Sequence, residues 1–230
     1  MLFSTGFLIS VTDNIMKTVL VISGWAHGIE AIRPIGNALR DLFEVQLLTG
    51  TEVLKMRRIP NADYIVTGSM GGLLALEHLP TGCRKLVLIS STARFCTAAD
   101  YSCGTHEKIL KRMIVQLKRN PETVLNEFYK NVHHPHPYRA CTGVTEPLDD
   151  LVAGLEYLLA SDVREKVPQI GIPVKLFHGS RDRIIPPGAA EWLQANLADS
   201  TLSVYNDGHG LAAHHFPEMM HEIKPFLTDG

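Results

Sequence analysis

The sequence predicts an α/β protein: a mainly parallel central sheet flanked by helices, with a helical segment inserted between two of its strands. Three observations carry this. Short aliphatic and β-branched runs alternate with segments of helical periodicity. The runs are apolar throughout and end at glycine or serine, as strands buried on both faces do. The alternation stops after Ser91 and resumes near residue 173.

The elements follow in order. Residues 18–23 (TVLVIS) are a strand ending at Gly24. A helix over 31–42 places Ile32, Ile35, Leu39 and Leu42 on one stripe. Residues 43–48 (FEVQLL) are a second strand, and 50–58 have only a short helical tendency. A strand over 63–67 runs into the turn GSMGG, and a helix follows over 70–79. Residues 85–90 (KLVLIS) are the next strand. From 93 to 164 no convincing strand occurs. Helices are expected near 105–119, 121–132 and 147–160, joined by the linker HHPHPYRACTG. The rhythm returns with a strand over 173–178, a helix over 187–197, a strand over 201–205 and a last helix over 215–227. The predicted organisation is a core of residues 16–92 and 165–230, a helical cap of residues 93–164, and an N-terminal extension of residues 1–15.

Composition narrows the function. The 230 residues are 45% apolar and carry a net charge of −2, which suits one sizeable core and argues against nucleic-acid binding. No run of 18 apolar residues predicts a membrane span. Residues 1–15 lack the charged start and small-residue cleavage site of a secretory signal. The four cysteines form no C-x-x-C pair, so reduced thiols in a cytoplasmic protein are expected. A monomer or weak dimer is expected.

Ligands of an open α/β sheet gather beyond the carboxyl ends of its strands. Those ends here read Gly24-Trp25-Ala26-His27, Gly68-Ser69-Met70-Gly71-Gly72, a GSRD segment ending at Asp182, and a DGHG segment holding His209. A serine needs a neighbouring base to become a nucleophile, histidine can be that base near neutral pH, and a carboxylate orients the imidazole. The Met70 and Trp25 N–H groups are placed to hold an oxyanion. Each residue alone has a structural explanation: a turn serine, a capping aspartate, a loop histidine. Together, in the order Ser-Asp-His, they predict a catalytic triad of the α/β-hydrolase arrangement. The histidines of HHPHPYRAC (His133, His134 and His136, with Cys141) and the pair His214–His215 lack the spacing of a closed zinc site. No metal or organic cofactor is expected.

The stretches VISGWAHG, RKLVLISSTARFC and DLVAGLEYLLASDVREKVPQIGIPVKLFHGSRDRIIPP resemble those of the α/β-hydrolase family. Within it they are most similar to the pimeloyl-acyl-carrier-protein methyl ester esterases of biotin synthesis. The likeness runs from about Lys17 to Leu227. It implies Ser69 as nucleophile, Asp182 as acid, His209 as base, Trp25 and Met70 as oxyanion donors, and Phe128 as a cap aromatic on the acyl chain. His27 is expected to touch substrate. The sequence departs from the family at Thr67, where the elbow pattern has glycine, and at Ser23, where histidine commonly precedes Gly-Trp. The connection over residues 49–62 is also short.

From Thr105 to Ala140 the chain carries seven Lys and Arg against three Glu. A basic cap suits an acidic acyl-carrier protein. Lys108, Lys111, Arg112 and Arg139 are its expected contacts, the first three on one helical face. The predicted function is hydrolysis of the methyl ester of a pimeloyl chain on a carrier protein. The alternatives are a general short-chain carboxylesterase and a non-catalytic binding module that keeps the fold.

Overall fold

Aliphatic strands pair in parallel when the chain between them returns over the sheet. In the computed structural model, which describes residues 16–138 and 146–229, six strands do so. They are β1 (Thr18–Ile22), β2 (Glu44–Leu48), β3 (Tyr64–Gly68), β4 (Lys85–Ile89), β5 (Val174–Gly179) and β6 (Ser200–Tyr205). Their order is β2-β1-β3-β4-β5-β6, with every neighbouring pair parallel. The chain runs outward from β1 to β2 and then back to β3, so the topological switch lies between β1 and β3. Ile22 pairs with Thr67 and Gly68 with Ile89, which brings the ends of β1, β3 and β4 to one edge.

Nine helices complete the described residues. They are α1 (Ile29–Leu39), α2 (Gly50–Met56), α3 (Met70–Glu77), α4 (Glu107–Arg119), α5 (Pro121–His133), α6 (Leu148–Ala160), α7 (Gly188–Asn196), α8 (Leu211–His214) and α9 (Phe216–Thr228). Side chains alternate across the strands and fill two layers. Leu20, Ile22, Ile65 and Leu88 join the layer of α3, α6 and α7, whereas Val19, Val21, Val66 and Val87 join that of α1 and α9. Both faces of the sheet are therefore covered, which is why its strands read as unbroken apolar runs.

Two expectations need correction. The stripe of α1 stops at Leu39; Leu42 lies beyond the helix and is 43% exposed, and Phe43 takes the buried place. The last helix is preceded by a separate turn, α8, not foreseen in the sequence. Residues 93–164 also contain three isolated bridges, one of them joining Arg94 to Asp162. That bridge ties the start of the inserted segment to its end, and the Arg94 guanidinium reaches the Asp162 carboxylate at 2.5 Å. The short crossover is α2, seven residues closed by a capping box between Thr49 and Glu52.

The helices α4, α5 and α6 all lie between β4 and β5 in the chain. α4 buries Leu110, Ile114 and Leu117 and packs against both α5 and α6. Among the described residues no helix is long and apolar enough to cross a membrane. Cys83, Cys96 and Cys103 carry no disulfide. Residues 1–15, Arg139 and Cys141 lie outside the described residues.

Candidate active site

Ser69 stands between β3 and α3 with φ 51° and ψ −119°, a left-handed conformation that L-residues rarely adopt. Such a conformation costs about 1–3 kcal/mol and persists only where the surroundings enforce it. Here the Ser69 N–H donates to the Ile89 carbonyl at 2.9 Å, and its own carbonyl accepts from Gly72 at 2.9 Å. Gly71 permits the tight approach of α3 to β1: a Cβ there would fall 2.6 Å from the Ser23 carbonyl oxygen. Thr67 needs no glycine. It is buried in the ladder, and its hydroxyl donates to the Val87 carbonyl at 3.2 Å. The elbow geometry is thus present despite the broken glycine pattern.

Asp182 and His209 come from the segments after β5 and β6. The Asp182 Oδ1 accepts the Ile184 and Ile185 N–H groups at 2.8 and 2.9 Å, and its Oδ2 faces His209 Nδ1 at 2.7 Å. Both side chains are buried. Burial opposes ionisation of the carboxyl, but the His209 and His178 imidazoles and the Ile185 N–H outweigh it and hold Asp182 below the usual carboxylate range. The carboxylate accepts the Nδ1 hydrogen of His209, which leaves Nε2 with the lone pair a base requires. The loop around His209 is confined on two sides. A Cβ on Gly179 would meet the Gly208 carbonyl oxygen at 2.1 Å, and the Gly210 N–H donates to the Val132 carbonyl at the end of α5.

The turn after β1 is fixed by side chains distant in sequence. The Trp25 indole donates to the Leu151 carbonyl of α6 at 2.8 Å, and its ring meets Phe128 edge-on at 4.7 Å. The Tyr129 hydroxyl donates to the Ala26 carbonyl, and the Ser23 hydroxyl to that of His27. Ala26 itself has φ 55°. Gly24 touches the elbow, since a Cβ on it would lie 2.9 Å from the Ser69 Cβ. The Trp25 N–H therefore follows a backbone packed on Ser69. Met70, the first residue of α3, carries one of the helix-start N–H groups that have no intrahelical acceptor.

Two cavities open at Ser69. One, of about 410 Å³, is lined by Trp25, Phe128, Met113 and Leu155, with Arg112 and Arg183 among its polar groups. The other, of about 350 Å³, is lined by His27 and His209 and by residues of α1 and α8. His27 Nδ1 bonds the Trp25 carbonyl at 2.8 Å, and its ring lies edge-on to Phe128 at 5.7 Å. Of the predicted basic contacts, Lys108, Lys111 and Arg112 are exposed on α4. Lys111 is paired with Glu107 at 3.0 Å, which reduces its share of the basic face.

Two features lie beyond what the motifs name. His178, at the end of β5, is buried beside Asp182 and donates from Nε2 to the Ile185 carbonyl at 2.9 Å. Its position at a strand's carboxyl end was the available signal. Asp207, two residues before His209, gathers the histidine-rich linker: its Oδ2 meets Nε2 of His136 at 3.0 Å and of His215 at 2.9 Å. His214 stacks on His136 at 3.9 Å. Among the described residues no group of three or more His, Cys, Asp and Glu side chains is arranged to hold a metal ion.

A family described as serine aminopeptidase S33 matches residues 39–223. The pimeloyl-[acyl-carrier protein] methyl ester esterase of Nitrosomonas europaea is 30% identical over 193 residues, covering 75% of this chain and 73% of that protein. The protein of the same name from Nitrosospira multiformis is 31% identical over 157 residues, covering 62% of this chain and 59% of that protein. An esterase (EaEST) from Exiguobacterium antarcticum, 19% identical, shares the fold with a TM-score of 0.80 across 93% of this chain and 92% of that one.

Proposed function

The chain belongs to the α/β-hydrolase family described as serine aminopeptidase S33 and is a carboxylic ester hydrolase, and we propose that it cleaves the methyl ester of a pimeloyl chain carried on an acyl-carrier protein. The observation that carries the mechanism is the 2.7 Å contact of His209 Nδ1 with Asp182, with His209 and the left-handed Ser69 lining one cavity. Ser69 Oγ attacks the ester carbonyl while His209 Nε2 takes its proton. The Trp25 and Met70 N–H groups receive the oxyanion; one such donor contributes about 3 kcal/mol to transition-state stabilisation. His209 then protonates the leaving methoxide, methanol departs, and water attacks the acyl-enzyme by the same route. No step draws on a metal or an organic cofactor.

The 410 Å³ cavity suits the acyl chain, being mostly apolar and floored by Trp25 and Phe128. Arg112 both lines it and faces solvent on α4, which supports a contact with the carrier's phosphate linker. Lys108 and Arg112 then steer the acidic carrier. The Lys111–Glu107 pair favours a second reading, a carboxylesterase for small free esters, because it weakens the basic face. The orienting contact on His209 speaks against a module that only binds. The test is hydrolysis of the carrier-linked methyl ester by purified protein, with complementation of a biotin auxotroph lacking this esterase. Turnover of small esters without either activity would select the second reading.

A further inference from the structure

The proposed base, His209, stands in the segment Asp207-Gly208-His209-Gly210, between two glycines. Glycine loses more conformational freedom on folding than any other residue, so such a loop fixes a side chain only through contacts from outside it. We infer that His136, in the linker after α5, is a positioning residue that acts through Asp207 to set His209 against Ser69. The inference rests on the esterase reading, with His209 as the base.

Both glycines answer to the same neighbour. A Cβ on Gly208 would collide with the His134 carbonyl oxygen, and one on Gly210 would lie 3.0 Å from that of Val132. The end of α5 and the residues after it thus pass against the backbone on both sides of His209. The Ser90 hydroxyl donates to the His209 carbonyl at 2.9 Å, and the Gly210 N–H to the Val132 carbonyl at 2.9 Å. On the other side of Gly208, the side chain that fixes the loop is that of Asp207.

Asp207 is buried. Its Oδ1 accepts the Gly208 N–H at 2.6 Å, and its Oδ2 meets Nε2 of His136 at 3.0 Å and of His215 at 2.9 Å. Its backbone carbonyl accepts the Arg181 N–H at 2.8 Å, one residue before Asp182. One residue therefore joins the His209 loop, the Asp182 loop, the entry to α9 and the linker. Burial opposes ionisation of its carboxyl, but the Gly208 N–H and His136 outweigh it and hold Asp207 below the usual carboxylate range. A charged acceptor makes the stronger hydrogen bond.

His136 is itself held in place. His214 of α8 stacks on its ring at 3.9 Å, and His133 Nδ1 lies 3.4 Å from His214 Nε2. His215 follows His209 closely in the chain, whereas His136 reaches Asp207 from 71 residues away. Without His136 the buried carboxylate keeps one imidazole, and its side chain loses the tie to the linker. A misplacement of about 1 Å can cost about 100-fold in rate, so a small movement of His209 is enough to be measured.

The test is steady-state hydrolysis of 4-nitrophenyl butanoate by His136→Ala, His136→Gln, Asp207→Asn and the double variant His136→Ala with Asp207→Asn, with Tm measured for each. The His136 side chain is 41% exposed, so folding is not at stake in its variants. We expect His136→Ala to lower kcat about tenfold with KM changed less than about twofold. His136→Gln, which keeps an N–H donor, should recover most of that loss. Asp207→Asn should lower kcat at least as much, and adding His136→Ala to it should cost little more, because both remove one contact. If Asp207→Asn fails to fold, the two His136 variants decide. Unchanged kcat in His136→Ala, with or without a fall in Tm, overturns the inference and leaves the esterase reading standing. So does a loss confined to KM, no recovery with glutamine, or additive losses in the double variant. Failure of the unaltered protein to cleave any ester, the carrier-linked one included, overturns both.

Discussion

His178 Nε2 stands 3.5 Å from Asp182 Oδ2, the same oxygen that His209 Nδ1 meets at 2.7 Å. One buried carboxylate thus faces two imidazoles. The His178 ring also bonds the Ile185 carbonyl, so it braces the loop that carries Asp182. Its Nδ1 is buried without a hydrogen-bond partner, and burial lowers its pKa, which favours the neutral ring. His178→Phe is expected to lower kcat about tenfold with KM little changed. Asp182→Asn, which leaves His209 in the wrong tautomer, should cost about 10⁴-fold in kcat. Equal losses in the two variants would mean that His178 does more than brace the loop.

Ser69 combines a strained backbone with the proposed chemistry. Ser69→Ala should abolish ester hydrolysis and leave the circular dichroism spectrum unchanged. Ser69→Gly should be equally inactive yet more stable by about 1 kcal/mol, because glycine adopts φ 51° without penalty. Denaturant midpoints decide this; a glycine variant less stable than the alanine one would remove the strain argument.

Burial pushes the His27 imidazole down to about 4, with repulsion from His209 and His133 adding to the effect. The unfolded chain binds a proton near pH 6.5 that the folded chain refuses until about pH 4. The sign is that of a depressed pKa: the stabilisation is full above pH 6.5 and is lost as pH falls toward 4. His27→Gln is expected to shrink the stability difference between pH 7 and pH 4.5 by about 2 kcal/mol. Urea titrations at the two pH values measure it, and an unchanged slope would refute it.

Tyr129 reaches from α5 to the Ala26 carbonyl and so steadies the turn that bears the Trp25 N–H. Tyr129→Phe keeps the ring and loses the hydroxyl. A loosened oxyanion donor predicts a three- to tenfold fall in kcat for a small ester, with KM nearly constant. A change confined to KM would assign Tyr129 to binding instead.

Charge on α4 separates the carrier from the free ester. Lys108→Glu with Arg112→Glu should reduce kcat/KM for the carrier-linked methyl ester far more than for a small ester at low salt. The gap should narrow as salt is added. Equal loss on both substrates would remove the carrier's docking from α4.

Much of this was legible in one dimension, because the signals are local. Aliphatic runs such as TVLVI form strands where they stand, and Gly71 is required by the packing of its own helix start. Ser69, Asp182 and His209 could be placed at one sheet edge because each follows a strand. Local pattern failed at Leu42, where the helix ended a turn early and Phe43 filled the core. It also passed over His178, whose role depends on a neighbour four residues away across a turn.

The sequence by itself determined the class of fold, the edge at which chemistry gathers and the residue types available there, since these follow from periodicity and from residues flanking each strand. The tertiary structure alone decided that Trp25 is pinned by Leu151, 126 residues away, that Asp207 collects His136 and His215, and that Ser69 divides two cavities. Those outcomes depend on how separate segments pack in space, and side-chain volume and hydrogen-bond direction between distant segments leave no trace in local order.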